Sequence, residues 1–161
     1  MVRFLKPQDS KTPKTTKTIL GSIDEDAAVD ILARTVWGEA RGEGSAGMQA
    51  VAAVIVNRVK VADAHGGKFW WGNSIIGVCQ KPYQFSCWND NDPNRAKLMG
   101  VSEADIHFAT AVRIARRAVA GVLDDPTFGA THYHAAGITP PWTRGEKPLT
   151  VIGRHIFYRV N

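Results

Sequence analysis

The sequence predicts an α+β domain that is mainly helical, with a small antiparallel β-element near its C-terminus. Up to Asp124, apolar residues recur at helical spacing behind residues that commonly begin helices. After Asp124 the spacing changes to the alternation of strands. The chain has 161 residues, 44% hydrophobic and 22% charged, which is enough for one domain with a hydrophobic core.

The first helix is predicted from a capping signature at residues 22–25 to about residue 42. Its apolar stripe consists of Ala28, Ile31, Leu32 and Thr35. At the angular spacing of a helix, Glu39 lies about 20° from Leu32 around the axis, so its carboxyl group continues the buried stripe. Burial raises the pKa of a carboxyl group. The pattern therefore predicts an acid that stays protonated near neutral pH.

The remaining elements follow from the same periodicities. A helix at 46–59 is apolar around nearly its whole circumference, which predicts a central, buried position. A short helix is expected at 74–79 and a third long one at 102–120. Strands are expected at 130–135 and 151–160, where apolar and polar residues alternate.

The ends of the chain and its charge limit the classes of function. Residues 1–21 are rich in Lys, Thr and Pro and are predicted to be a flexible basic leader, before a single catalytic domain at 22–161. The leader has no apolar core of a signal peptide, so no secretion signal is predicted. The net charge of +5 suits a polyanion, and no apolar run predicts stable membrane insertion.

Two cysteines, Cys79 and Cys87, leave the redox state open. They form either one bridge across a short loop or two buried thiols.

Two glutamates four residues apart, Glu39 and Glu43, are the main candidates for chemistry. As a pair they are an acid with a charge stabiliser, or one acid with one structural anion. Glycosidases use a protonated acid and often a second carboxylate, for which Asp90 and Asp92 are further candidates. We expect Glu39 to be the acid and Glu43 a supporting residue.

The segment His132–Tyr133–His134 is the second candidate. In a strand, both histidines face one side and the tyrosine faces the other. Two histidines on one face suggest a zinc site or the lining of a substrate groove. The sequence lacks a C-x2-C pair and an H-E-x-x-H motif, so we expect a groove and no metal or other cofactor.

Aromatic residues are concentrated in the predicted loops and the first strand. They are Trp70, Trp71, Tyr83, Phe85, Trp88, Tyr133 and Trp142. Beside the amides and hydroxyls of these loops, such residues are typical of a saccharide groove. Nucleic acid binding requires basic residues between the aromatic ones, and here the basic residues lie elsewhere. We therefore expect no nucleic acid partner.

The sequence resembles the SleB-like cell-wall hydrolases, which include spore-cortex lytic enzymes and phage relatives. The resemblance rests on segments that occur in the same order, at residues 33–43, 49–59, 78–88, 131–134 and 152–158. It implies a lysozyme-like fold and cleavage of the β-1,4 bond between N-acetylmuramic acid and N-acetylglucosamine in peptidoglycan.

The resemblance also implies roles for individual residues. The first glutamate of the motif Trp37–Glu43 is the catalytic acid of that family, which here is Glu39. Gln84, Phe85, Ser86 and Tyr133 line the groove by the same resemblance, and we add His132, His134 and Trp142.

The predicted function is a monomeric, phage endolysin-type lytic transglycosylase acting on peptidoglycan glycan strands, which we expect to stay in the host cytoplasm before its release to the cell wall. A muramidase is the first alternative, and a zinc-dependent amidase or endopeptidase is an alternative of another class.

Overall fold

A computed structural model describes residues 14–160, with side chains from residue 24 onward. Its helices are α1 (Lys14–Ala40), α2 (Gly44–Ala64), α3 (Ile75–Gln80), α4 (Asn94–Gly100) and α5 (Ile106–Val119). Its strands are β1 (His132–Ala135), β2 (Thr150–Ile152) and β3 (His155–Tyr158). Single 3-10 turns occupy Arg41–Glu43, Ser86–Trp88 and Pro141–Thr143. The predicted α+β class is confirmed.

Helix α2 lies at the centre of the domain, as its apolar circumference predicts. Its side chains from Ala50 to Ile55 are all buried, and α1 and α5 pack against it and against each other. The largest fully buried residues of α1 and α2 include Leu32, Val36 and Met48. None of the helices in residues 14–160 is long and apolar enough to cross a membrane.

The sheet has the strand order β1-β3-β2, and both pairings are antiparallel. Tyr133 of β1 pairs with Phe157 of β3, so these two rings share one face of the sheet. Phe157 is fully buried against Ala50 and Val54 of α2, so this face covers the central helix. The opposite face carries the side chains of His132 and His134.

The helix boundaries differ from the prediction mainly at the starts of α1 and α5 and at the end of α2, which continues to Ala64. Helix α1 begins at Lys14, before the predicted capping signature, because no proline interrupts the chain between Lys14 and Ala40. Residues 1–13 of the predicted leader lie outside the described residues. Helix α5 begins at Ile106, because the Asp105 carboxylate accepts a hydrogen bond from the Phe108 amide (2.9 Å).

Two further elements were predicted incorrectly. The segment 151–160, predicted as one strand, is a hairpin: β2 ends at Ile152 and β3 begins at His155. Gly153 has a φ of 58° and turns the chain between them. Helix α4 was not predicted, because its 7 residues are too few to establish a periodicity, although Leu98 in it is fully buried.

Candidate active site

Glu39 lies in the last turn of α1, half-buried, as its helical phase predicts. The hydroxyl group of Tyr133 donates a hydrogen bond to its Oε2 atom (3.1 Å). Its Oε1 atom is buried, with no hydrogen-bond partner within residues 14–160. An ionised carboxylate is costly in such a place, whereas a neutral carboxylic acid is much less so.

The pKa of Glu39 is raised above its ordinary value, chiefly because burial removes the carboxylate from water. The negative charge of Asp92 raises this pKa further. Polar groups near the carboxylate offset part of this rise. The thiol of Cys87, the hydroxyl of Tyr133 and the backbone amide of Cys87 each lower the pKa of Glu39. The net effect favours the protonated acid.

Glu39 forms no salt bridge with any described residue, although two arginines lie near it in the sequence. Arg34 binds Asp30 (3.0 Å) and the main-chain oxygen of Leu98 (2.6 Å) instead. Arg41 stacks on the Trp37 ring (4.2 Å) and donates to the carbonyl groups that end α1. The acid therefore keeps its proton without competition from a neighbouring cation.

Gly38 allows the loop before Asn89 to approach the helix beside Glu39. A Cβ atom at Gly38 would lie 2.9 Å from the Cβ and 3.1 Å from the Sγ of Cys87. This contact places Cys87 next to the acid. Sequence reasoning did not assign Cys87 to the site, and the isolated glycine inside a helical pattern is the signal that points to this close approach.

Glu43 has the opposite environment to that of Glu39. Its carboxylate accepts hydrogen bonds from the backbone amide of Arg154 (3.0 Å) and from that residue's guanidinium (3.1 Å). These contacts, led by the backbone hydrogen bond, lower the pKa of Glu43. Glu43 is therefore an ionised group that attaches the β2–β3 turn to the start of α2.

Both glutamates line one open depression of about 310 Å³, together with Asn94 and Arg154. This depression gives solvent, and hence a substrate, a path to the half-buried acid. The depression lies at the junction of α1 and α2, where the motif Trp37–Glu43 is located.

His132, His134 and Trp142 form a separate cluster on the other face of β1. The Trp142 ring lies 5.2 Å from that of His132 and 5.8 Å from that of His134. Nε2 of His134 shares a hydrogen bond with the Tyr158 hydroxyl (3.0 Å). The structure thus brings Tyr133 to Glu39 but places both histidines and Trp142 away from that carboxyl group.

The loop residues predicted to line the groove also separate. Phe85 is buried in the hydrophobic core, whereas Ser86 is exposed. Gln84 is half-buried and accepts a long hydrogen bond from Arg58 (3.4 Å). Burial lowers the pKa of Arg58 to about 10, and the side chain lies over the rings of Trp71 (5.2 Å) and Phe85 (5.5 Å). Phe85 therefore packs in the core and does not line the surface of a groove, contrary to the prediction.

Cys79 and Cys87 are free, buried thiols. Burial raises the pKa of Cys79 to about 12 and also raises the pKa of Cys87. Both side chains are therefore neutral thiols at physiological pH. Within residues 14–160, no three or more His, Cys, Asp or Glu side chains are arranged to hold a metal ion.

Known proteins resemble this chain in sequence and in structure. The family model described as Cell Wall Hydrolase matches residues 42–158, which begin shortly after Glu39. A spore cortex-lytic enzyme of Halalkalibacterium halodurans is 32% identical over 152 residues, covering 92% of this chain and 39% of that protein. One of Bacillus subtilis is 32% identical over 132 residues, covering 80% of this chain and 36% of that protein.

A solved structure, the catalytic domain of the germination-specific lytic transglycosylase SleB from Bacillus anthracis, superposes with a TM-score of 0.61 at 30% identity. The match covers 82% of this chain and 93% of that one. This chain spans only part of the length of these curated relatives. The share is 39% for the protein of Halalkalibacterium halodurans, 36% for that of Bacillus subtilis and 51% for a spore cortex-lytic enzyme of Bacillus cereus.

Proposed function

Because the chain belongs to the SleB-like cell wall hydrolase family, we propose that it is a peptidoglycan lytic transglycosylase with Glu39 as its acid and base. The bond cleaved is the β-1,4 bond between N-acetylmuramic acid and N-acetylglucosamine. One observation carries the proposal: Glu39 is a half-buried carboxyl group with an unpartnered Oε1, a raised pKa and an open depression beside it.

In the first step, protonated Glu39 donates its proton to the glycosidic oxygen as the bond to the muramoyl C1 breaks. General acid catalysis of this kind contributes roughly 10²–10⁴-fold to the rate. The hydrogen bond from Tyr133 to Oε2 holds the carboxyl group in place and supports the carboxylate that forms.

In the second step, the Glu39 carboxylate takes the proton of the muramoyl 6-hydroxyl while that oxygen bonds to C1. The product is a 1,6-anhydromuramoyl end, and Glu39 is protonated again. One carboxyl group therefore suffices for the whole cycle.

A muramidase, which adds water to C1, is the second candidate. Hydrolases of this type ordinarily use a second carboxylate. Glu43 is engaged by Arg154, and Asp90 by Arg95 (2.6 Å). Asp92 accepts a hydrogen bond from the Asn94 amide (2.8 Å), and its charge acts on Glu39, which makes it the carboxylate that a hydrolase would use.

Mass spectrometry of digested peptidoglycan distinguishes the two reactions. The transglycosylase proposal predicts 1,6-anhydro ends as the main product, with stem peptides still attached. Reducing muramic acid ends without the anhydro form would instead establish the muramidase. Released peptides with glycan strands of unchanged length would contradict both.

The biological setting predicted from the sequence goes further than the reaction. An endolysin role, a phage origin, a monomeric state and a location in the host cytoplasm before release stay predictions. Light scattering of the purified protein tests the predicted monomeric state.

A further inference from the structure

The loop between α3 and residue 91 forms a second depression, which the mechanism above does not use. Its volume is about 410 Å³. Its lining includes Gln80, Lys81, Tyr83, Trp88, Asn89 and Asn91. Aromatic rings and amides around an open depression of this size are the composition of a site for a polar ligand with apolar faces.

Tyr83 has a backbone conformation that its side chain disfavours. The Gln84 amide donates to the Lys81 carbonyl (3.1 Å), with Pro82 in the second position of this turn. Tyr83, in the third position, has a φ of 65°, where a type II turn normally has glycine. The ring is nevertheless 87% exposed, so the fold gains almost no burial from it. A strained and exposed aromatic residue points to contact with another molecule.

The other walls of the depression are suited to a sugar. The indole nitrogen of Trp88 donates to the Thr35 hydroxyl (2.9 Å), which fixes this half-buried ring against α1. The side-chain amides of Gln80, Asn89 and Asn91 line the same depression. Such amides both donate and accept, as the hydroxyl and acetamido groups of an amino sugar require.

The depression adjoins the acid through two contacts. Thr35, which holds Trp88, lies one helical turn before Glu39 on α1. Cys87, the neighbour of Trp88, packs against Gly38 and influences the pKa of Glu39. The loop that lines the depression therefore also packs beside the acid.

We propose that this depression is a glycan subsite that binds an N-acetylhexosamine next to the cleaved bond, with Tyr83 as its stacking platform. The proposal rests on the function proposed above, because that function supplies the glycan strand. The C–H face of the sugar stacks on the Tyr83 ring, and the amides bind its polar groups.

The test compares Tyr83→Gly with a matched control, Phe128→Gly. Phe128 is also an exposed aromatic residue (75%) at positive φ (59°), but it lies in the loop after Asp125, outside the depression. Glycine relieves the backbone in both variants, so both should raise Tm by about 2–4 °C. A loss of binding in Tyr83→Gly therefore does not reflect a loss of folding.

Binding of tetra-N-acetylchitotetraose is measured by calorimetry, with Glu39→Gln in every protein to prevent cleavage. We expect Tyr83→Gly to raise Kd about tenfold and Phe128→Gly to leave it unchanged, since stacking of a ring on an aromatic side chain is of this order. Equal Kd values in all the proteins, equal losses in both variants, or no binding by the parent protein would overturn the subsite.

The two proposals fail separately. If Glu39→Gln digests peptidoglycan normally while Tyr83→Gly still weakens binding, the mechanism is wrong and the subsite stands. If Glu39→Gln is inactive and Tyr83→Gly binds like the parent, the subsite is wrong and the mechanism stands.

Discussion

At the scale of single residues, Glu39 and Glu43 have opposite electrostatic surroundings although they lie four positions apart. Burial and the charge of Asp92 raise the pKa of Glu39. A backbone amide and a guanidinium of the same arginine, Arg154, lower that of Glu43. The first glutamate is therefore suited to donating a proton, and the second to holding a turn of the chain.

Tyr133→Phe removes the hydroxyl group that donates to Glu39 Oε2. This hydrogen bond favours the carboxylate, so its loss should raise the pKa of Glu39 further. Since the reaction needs the protonated acid, the alkaline limb of the pH profile of kcat/KM should move to higher pH. We expect the maximal rate to fall roughly tenfold, because the carboxylate formed in the first step loses a stabilising hydrogen bond.

Asp92→Asn is the matched control for that shift. It removes a negative charge that raises the pKa of Glu39, so the alkaline limb should move to lower pH. Shifts of the same sign in Tyr133→Phe and Asp92→Asn would show that Glu39 does not set this limb.

At the scale of elements, the close contact between α1 and the loop at Cys87 shapes the site. Gly38→Ala would normally stabilise a helix by about 1 kcal/mol. Here the added Cβ meets Cys87 at 2.9 Å, so we expect a destabilisation of about 1–3 kcal/mol and a lower rate as Cys87 moves relative to Glu39.

Chemical denaturation and an activity assay measure these two effects. Gly100→Ala in α4 is the control, because a Cβ atom there meets nothing within 4 Å. It should be neutral or slightly stabilising. A Gly38→Ala protein as stable and active as the wild type would disprove the importance of this contact.

At the scale of the whole molecule, ionisation of Glu39 should reduce stability above its raised pKa. Because the pKa of Glu39 is raised in the folded state, its proton stabilises the fold below the ordinary value of 4.5, and this contribution is lost as the pH rises through the raised pKa. Glu39→Gln cannot ionise and escapes the loss. Its Tm should exceed that of the wild type at pH values above the raised pKa of Glu39, and the difference should shrink as the pH falls towards about 4. A Tm difference that does not grow as the pH rises would contradict the burial of the charge.

The sequence predicts the fold class and the half-burial of Glu39, because both depend on local periodicity. Leu32 and Glu39 lie on the same helix face regardless of which element packs against that face. The approach of Cys87 could not be predicted, since it depends on the packing of a loop distant in sequence. The separation of His134 and Trp142 from Glu39 likewise depends on which face of the sheet covers α2, and the single strand predicted at 151–160 overlooked the turn at Gly153.

The central claim is that Glu39 is the catalytic acid, and the peptidoglycan digestion rate of Glu39→Gln tests it most directly. The account predicts a fall of roughly 10²–10⁴-fold in a protein that is folded and at least as stable as the wild type. Glu43→Gln is the control, and we expect it to keep most of its rate while it loses thermal stability. A Glu39→Gln protein that digests peptidoglycan within a few-fold of the wild-type rate would contradict the account.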